Sequence, residues 1–200
     1  MKFRTFLSAS LFAALALPLS AAVETGSMAP DFTLTDTSGT EHSLSDFKGK
    51  YVVLEWVNHN CPFVQKHYNS GNMQALQKEF TDQGVVWLAI NSTNPDHRDY
   101  KTPAEADMLT RQHGAEHTAL LMDPTGKVGK LYDAKTTPHM YVINPEGKLI
   151  YQGAIDSIQS ANPKDIAKAD NYVKTTLMAA MSGEGVDMAS TRPYGCSVKY

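Results

Sequence analysis

The sequence predicts an α/β protein with a mixed central sheet that helices cover on both faces. Short apolar runs alternate with helical repeats along the chain, which favours a mainly parallel sheet. The run YVVLEWV is apolar almost throughout, as is typical of a strand buried on both faces. The turn sequence NPEG joins the last two runs, and this tight connection adds an antiparallel edge.

The first 22 residues are predicted to be a secretory signal peptide that does not belong to the fold. Lys2 and Arg4 precede the apolar stretch FLSASLFAALALPL, and the small residues SAA match a cleavage site after Ala22. A membrane anchor is the alternative, but the stretch is short for a span of about 20 residues. We therefore expect a secreted or periplasmic protein that has no membrane contact once the signal is removed.

Composition and charge narrow the classes of partner. The 200-residue chain has a formal net charge of −3, and removal of Lys2 and Arg4 takes away two positive charges and gives −5. No basic run remains, so we expect no nucleic-acid partner. The chain has two cysteines, and cysteines in an oxidising compartment tend to pair.

The domain is predicted to span residues 23–182 and to open with a short hairpin. Five apolar runs follow as strands, and the last two form a second hairpin. These runs cover residues 51–57, 85–90, 119–122, 139–143 and 148–153.

Helical patterns fill the intervals between the strands. Apolar residues at 73, 76 and 80 line one helix face, and the NSG sequence at 69–71 predicts a kink or a fresh start before them. Thr102-Pro103-Ala104-Glu105 is a capping box that opens a helix ending near Gly114. A last helix is predicted from a single repeat through Ile166, Val173, Leu177 and Met181.

Cys61 is the leading candidate for a reactive group. It follows the buried strand 51–57, and Pro62 occupies the first position of the next helix, where a missing N–H costs nothing. The unpaired N–H groups and the dipole of a helix N-terminus favour a thiolate, which is the form that attacks disulfides, peroxides or metals. A buried structural cysteine is the alternative.

A proline stands directly before a predicted strand in the sequence KTTPHMYVI. Pro138 cannot donate to a sheet ladder, and a cis peptide bond between Thr137 and Pro138 would explain its place. Combined with the strand–cysteine–helix unit around Cys61, this proline completes a recognisable arrangement.

Together these segments resemble the alkyl hydroperoxide reductase/thiol-specific antioxidant (redoxin) superfamily. APDFTLTDTSGTEHSLSDFKGKYVVLEW is similar to the opening of that superfamily. The segments CPFVQKHY, NMQAL, TTPHMYVI, YQGAID and RPYGCSVKY resemble exported peroxiredoxin-like redoxins. The resemblance covers residues 28–200. It implies a thioredoxin-like fold with an N-terminal hairpin extension and with Pro138 packed near Cys61.

The sequence departs from two patterns of its relatives. Thioredoxin carries a C-x-x-C motif, whereas Val64 stands here at the second cysteine position. Typical peroxiredoxins place Thr or Ser three residues before the reactive cysteine and Pro four residues further back, whereas Asn58 and Leu54 stand here. Cys61 therefore matches the first thioredoxin cysteine, and peroxidase activity does not carry over directly.

The C-terminal tail, residues 183–200, has no periodic pattern and is predicted to pack back toward the active site. Cys196 would then pair with Cys61 and supply the resolving thiol that Val64 does not. A mobile tail would let this bond form and break in a catalytic cycle, whereas a locked tail would make it a structural staple. An unpaired thiol on a disordered end is the remaining alternative.

Four further residues are candidate supporting groups. Glu55 lies in the buried strand, where thioredoxin relatives keep an acidic proton relay, and Thr137 precedes Pro138. His59 and His139 are candidate general acids for a leaving thiol. The same histidines raise the alternative of a Cys/His copper or zinc site, or of ordinary structural histidines.

The sequence therefore predicts an exported thiol–disulfide oxidoreductase of the redoxin type. Cys61 is the expected nucleophile, Cys196 the expected resolving thiol, and Pro138 shapes the site. No cofactor is expected, and the substrate is a small thiol, disulfide or peroxide or a redox partner protein. The alternatives are a metal-binding protein of the same fold and a module that retains the fold without the chemistry.

Overall fold

The computed structural model describes residues 23–200, so the predicted signal peptide, residues 1–22, lies outside the described residues. Seven strands form one sheet in the order β2-β1-β5-β4-β3-β7-β8, and two short strands form a separate pair, β6-β9. The strands are β1 (Thr33–Asp36), β2 (Glu41–Ser43), β3 (Val52–Trp56), β4 (Val86–Asn91), β5 (Ala119–Met122), β6 (Thr136–Thr137), β7 (His139–Ile143), β8 (Leu149–Gly153) and β9 (Cys196–Ser197).

The sheet is mixed, as the sequence predicts. β3, β4 and β5 run parallel to one another, since helical connections join them. β7 pairs antiparallel with both β3 and β8, which makes the closing hairpin. The N-terminal hairpin of β1 and β2 joins the other edge, because β1 also pairs antiparallel with β5.

Helices cover both faces of this sheet and divide the apolar residues into two cores. The helices are α1 (Pro62–Asn69), α2 (Asn72–Thr81), α3 (Pro103–His113), α4 (Lys127–Leu131) and α5 (Tyr172–Met181). The first core, which contains Cys61, is formed with side chains of α1, α2, α3 and α5. The second core lies under α4 and the N-terminal segments, with Trp56 and Tyr141 among its members. The predicted α/β class with helices on both faces is thus confirmed.

Three of the predicted helix boundaries are confirmed by the backbone. Gly71 has a φ of 76°, a left-handed conformation that separates α1 from α2 as the NSG sequence predicts. Thr102 caps α3 by accepting a hydrogen bond from the Glu105 backbone, and the Glu105 side chain accepts from the Thr102 backbone in return. Gly114, also left-handed, ends the helix.

The predicted last helix is wrong at its start. The chain forms a separate 3-10 segment, Pro163–Lys168, in which Ile166 is only half-buried. The helix α5 begins anew at Tyr172, because the Asn171 side chain accepts a hydrogen bond from the Lys174 backbone and caps that terminus. No helix among residues 23–200 is long and apolar enough to cross a membrane.

The tail returns along the molecule and contacts several of its elements. Thr191 accepts a hydrogen bond from the Ala154 backbone, and β9 pairs antiparallel with β6. At the C-terminus, the Tyr200 hydroxyl donates to the Ala134 carbonyl over 2.7 Å. This path takes Cys196 across the end of the sheet at which Cys61 lies.

Candidate active site

Cys61 lies at the point where the buried strand β3 gives way to α1. It is the N-cap residue of α1, and Pro62 follows at the first helical position. The Cys61 side chain is only 2% exposed, because the apolar residues of the first core surround it. Its backbone N–H donates to the Asn58 carbonyl over 3.0 Å, which holds the turn before the helix.

Pro138 and Thr137 form the second side of the site. The peptide bond between them is cis, as the sequence predicts. The Thr137 carbonyl oxygen lies 3.0 Å from Cys61 Sγ, so the backbone before the proline contacts the sulfur directly. The Thr137 hydroxyl oxygen is buried and has no hydrogen-bond partner.

Cys196 completes the site from the tail. Residue Cys196 stands opposite Thr137 in the β6–β9 pair, and its Sγ lies 2.8 Å from Cys61 Sγ. Both cysteines are free thiols in this structure. Since a disulfide bond measures about 2.05 Å, a shift of less than an ångström separates this contact from a covalent link.

The two thiols differ in their surroundings. Burial raises the pKa of Cys196 to about 12, and the hydrogen bond with Cys61 and the charge on Cys61 act in the same direction. Cys196 therefore keeps its proton at neutral pH. Cys196 is also the more exposed of the two residues, because it is half-buried while Cys61 is buried.

Glu55 lies on β3, fully buried below the site. Its carboxylate oxygens accept hydrogen bonds from three side chains: the Tyr68 hydroxyl at 2.9 Å, the Gln77 amide at 3.1 Å and the Trp87 indole at 2.8 Å. Burial raises the pKa of Glu55 to about 7, although these hydrogen bonds oppose the shift. Glu55 can thus take up or release a proton near neutral pH.

His59 is held in the turn that leads to Cys61. Its ring is 8% exposed and packs against the ring of His113, with 5.9 Å between the ring centroids. Burial lowers the pKa of His59 to about 4, and His113, His117 and Lys101 lower it further. His59 is therefore neutral at pH 7, and its Nδ1 atom has no hydrogen-bond partner.

His139 lies on the opposite face of the sheet from Glu55. Its register partner is Trp56, and its ring packs on Tyr141, with 4.6 Å between the ring centroids. Its Nδ1 atom accepts from the Lys135 backbone and contacts the Tyr141 hydroxyl. Burial lowers the pKa of His139 to about 3. His139 therefore lies on the side of the second core, whereas Cys61 lies in the first core.

The surroundings of Asn58 and Leu54 bear on peroxide chemistry. The Asn58 side-chain oxygen accepts a hydrogen bond from the Asn60 backbone, so it serves the local turn. Leu54 is fully buried in the second core. The Leu54 side chain has no hydrogen-bonding group to offer a peroxide at Cys61, and the Asn58 oxygen is already used by the turn.

Sequence reasoning missed a buried polar cluster beside the two cysteines. The Lys66 ammonium lies 3.0 Å from Asp156 Oδ2, and the Tyr194 hydroxyl donates to Asp156 Oδ1. All three residues fall inside segments that carry the family resemblance, namely CPFVQKHY, YQGAID and RPYGCSVKY. The residue types alone gave no reason to bring these three segments together.

The copper or zinc alternative requires side chains in the described part of the chain that could bind a metal ion. Among residues 23–200, no group of three or more histidine, cysteine, aspartate or glutamate side chains is arranged to hold a metal ion. The copper or zinc alternative therefore gains no support from this site.

Comparison with known proteins places the chain in a family. The model of the AhpC/TSA family matches residues 25–152, which include Cys61 and Pro138 but not Cys196. The thiol-disulfide oxidoreductase ResA of Bacillus subtilis (strain 168) is 31% identical over 128 residues. That match spans 64% of this chain and 66% of the relative, just under two thirds of its length.

Solved structures extend the likeness over most of the chain. An uncharacterized conserved protein from Geobacillus kaustophilus superposes with a TM-score of 0.78 at 27% identity, covering 88% of this chain and 92% of that one. The thioredoxin domain of a thiol-disulfide oxidoreductase from Bacteroides vulgatus superposes with a TM-score of 0.53 at 23% identity, covering 74% of this chain and 98% of that domain. The latter shows the shared thioredoxin-like fold alone. With the family model matched across residues 25–152, the chain belongs to the AhpC/TSA family.

Proposed function

We propose that the protein is an exported thiol–disulfide oxidoreductase in which Cys61 is the nucleophile and Cys196 is the resolving thiol. The observation that carries the proposal is the 2.8 Å contact between the two sulfurs, 135 positions apart in sequence. The tail thus does what the second cysteine of a C-x-x-C motif does in thioredoxin. The relatives named thiol-disulfide oxidoreductases support the reaction class.

The reaction has two steps that balance with a substrate disulfide. Cys61 thiolate attacks one sulfur of the substrate, a mixed disulfide forms, and the first substrate thiol leaves. Cys196 then loses its proton and attacks Cys61 Sγ, and the second substrate thiol leaves as the Cys61–Cys196 disulfide forms. Two electrons pass from the protein to the substrate, and a reductant of the thiol class reverses the process.

The Thr137 backbone and Glu55 support this chemistry in different ways. The Thr137 carbonyl contacts Cys61 Sγ, and Thr137 is the register partner of Cys196 in the β6–β9 pair, so this residue lies beside both cysteines. Glu55 is the buried group whose pKa lies near 7, which suits a residue that accepts and returns the protons released by the thiols.

Disulfides are the favoured substrate over peroxides. Asn58 and Leu54 stand at the positions that typical peroxiredoxins fill with Thr or Ser and with Pro. The Asn58 side-chain oxygen accepts a hydrogen bond within the local turn, and Leu54 is buried in the second core. A peroxide reaction would take Cys61 to a sulfenic acid, which Cys196 would resolve with release of water.

A single-turnover assay of the reduced mature protein tests the function. With glutathione disulfide, we expect two equivalents of glutathione per protein from the wild type. Cys196→Ser should stop at one equivalent with glutathione bound at Cys61, and Cys61→Ser should release none by the same route. Equal rates for the wild type and Cys61→Ser would refute the nucleophile assignment, and a faster reaction with hydrogen peroxide would reverse the substrate preference.

A further inference from the structure

The buried cluster of Lys66, Asp156 and Tyr194 joins the two elements that carry the cysteines. Lys66 lies on α1, five positions after Cys61, and Tyr194 lies in the tail, two positions before Cys196. Asp156 follows the edge strand β8. The cluster thus connects three segments that are distant in sequence.

The hydrogen bonds of this cluster form a closed ring. The Lys66 ammonium donates to Asp156 Oδ2 at 3.0 Å, to the Ile158 carbonyl at 3.3 Å and to the Tyr194 hydroxyl at 3.3 Å. The Tyr194 hydroxyl in turn donates to Asp156 Oδ1. Every N–H of the ammonium group therefore has an acceptor.

Burial makes this ring costly unless it is complete. Lys66 is 1% exposed, Asp156 4% and Tyr194 6%. A buried ion pair is weak evidence for stability, since apolar residues of similar size often do as well, but such a network can fix one arrangement of the chain. Here the arrangement that it fixes is the approach of the tail to α1.

Tyr194 is held from a second direction by an apolar contact. The ring of Phe63, also on α1, packs edge-on against the Tyr194 ring with 5.8 Å between centroids. Between Tyr194 and Cys196 stands Gly195, at a φ of 142°, where a Cβ atom would overlap the Thr137 carbonyl. The path from the anchored tyrosine to the cysteine is therefore short and tightly confined.

We propose that the Lys66–Asp156–Tyr194 ring is a positioning device that holds Cys196 against Cys61 in the reduced protein. It raises the effective concentration of the resolving thiol, because a tail already in place loses little freedom when the disulfide forms. The inference rests on the proposed function, in which these two thiols form a reversible pair. Lys66, Asp156 and Tyr194 act on the reaction through Cys196 and do not touch the reacting sulfurs.

The test measures the equilibrium constant for oxidation of Cys61 and Cys196 to their disulfide by glutathione disulfide. In this reaction two electrons pass from the protein thiols to glutathione disulfide, which becomes two molecules of glutathione. Tyr194→Phe removes only the hydroxyl that closes the ring. We expect this variant to lower the constant by up to about tenfold, the factor that corresponds to one charge-assisted hydrogen bond. The oxidised variant bears the whole loss because the disulfide keeps its tail in place, whereas the reduced variant escapes part of it by releasing the tail. Tyr51→Phe is the matched control, because the Tyr51 hydroxyl donates to the Ala180 carbonyl away from both cysteines; its constant should equal that of the wild type.

The outcomes separate a positioning role from a purely structural one. A structural contact stabilises the reduced and oxidised proteins equally and leaves the constant unchanged, so a Tyr194→Phe value equal to the control would overturn the inference while leaving the proposed function intact. Failure of the wild type to form the disulfide in any buffer would overturn both. If Tyr194→Phe does not fold, Phe63→Leu loosens Tyr194 without removing a polar group, and its constant should fall in the same direction; no fall would again overturn the inference.

Discussion

At the scale of single residues, Glu55 offers the sharpest pH test. In the folded protein, burial raises the pKa of Glu55 from the usual value of 4.5 to about 7. Between pH 4.5 and pH 7, the Glu55 side chain binds fewer protons in the unfolded chain than in the folded protein. The contribution of Glu55 to the free energy of unfolding therefore falls as the pH rises. The full loss is on the order of 3 kcal/mol.

Glu55→Gln isolates this contribution. Denaturant unfolding should show the wild type losing stability relative to Glu55→Gln from pH 5 to pH 8, while the exposed variant Glu146→Gln keeps the wild-type profile. The buried histidines act with the opposite sign, since their lowered pKa values give stability that is lost as the pH falls below 6.5. They are common to all three proteins and cancel in the difference. If the free energies of unfolding of the wild type and Glu55→Gln differ by the same amount at every pH, the pKa of Glu55 is not raised in the folded protein.

Residue-level sequence reasoning succeeds where the signal is local. The helix start at Cys61 and the cis bond before Pro138 could be predicted, because each follows from a few neighbouring residues. The face of His139 could not, since it depends on the register that pairs His139 with Trp56. The partners of Lys66 were likewise hidden, because they come from segments 90 and 128 positions away.

At the scale of elements, the β6–β9 pair determines whether Cys196 reaches Cys61. Gly195→Ala adds a methyl group that overlaps the Thr137 carbonyl, at a φ that L-residues rarely adopt. We expect β9 to move off β6 and disulfide formation to slow at least tenfold, roughly the effect of a 1.4 kcal/mol penalty. Quenched alkylation during oxidation would measure the rate.

Gly185→Ala is the control for this experiment. Gly185 lies in the same tail, and a Cβ atom there meets nothing within 4 Å. Its rate of disulfide formation should match that of the wild type. Equal rates in the Gly195→Ala and Gly185→Ala variants would show that the close approach of the tail to Thr137 does not control the reaction.

Helix periodicity alone did not fix the element boundaries near the C-terminus. Ile166 fits the apolar repeat of α5, yet the Asn171 cap restarts the helix after it. A side-chain cap satisfies backbone N–H groups that a continuous helix would bond internally. The restart therefore depends on a local hydrogen bond that a count of apolar positions does not register. The pairing of β9 was missed for a related reason, since two residues have no measurable period.

At the scale of the whole molecule, the disulfide would join positions 135 apart. Closing so long a span restricts the unfolded chain, and the chain-entropy model gives about 5 kcal/mol as an upper value. We expect the oxidised protein to be more stable than the reduced one by up to this amount in denaturant titrations. The Cys196→Ser variant, which cannot form the bond, should show no change on oxidation. Equal stabilities of the two wild-type forms would argue against a bond across this span.

The architecture was predictable because the alternation of strands and helices is written along the chain, and because the thioredoxin-like resemblance spans nearly all of it. The course of the tail was only expected from its cysteine. Its contacts at Thr191, β9 and Tyr200 use isolated residues, which leave no repeating pattern in the sequence. The position of the tail depends on its contacts with the folded domain, and these must offset the entropy lost when the tail becomes ordered.

Peptide mapping of the protein without residues 1–22, under non-reducing conditions, shows directly whether Cys61 and Cys196 form a disulfide. The reduced protein is treated with one equivalent of glutathione disulfide, alkylated to block free thiols, digested and analysed by mass spectrometry. We expect a Cys61–Cys196 linked peptide pair that is absent after treatment of the protein with dithiothreitol. The pair should return when the dithiothreitol is removed and a second equivalent of glutathione disulfide is added. Two alkylated cysteines, or glutathione retained on Cys61 in the wild type, would show that Cys196 does not resolve Cys61.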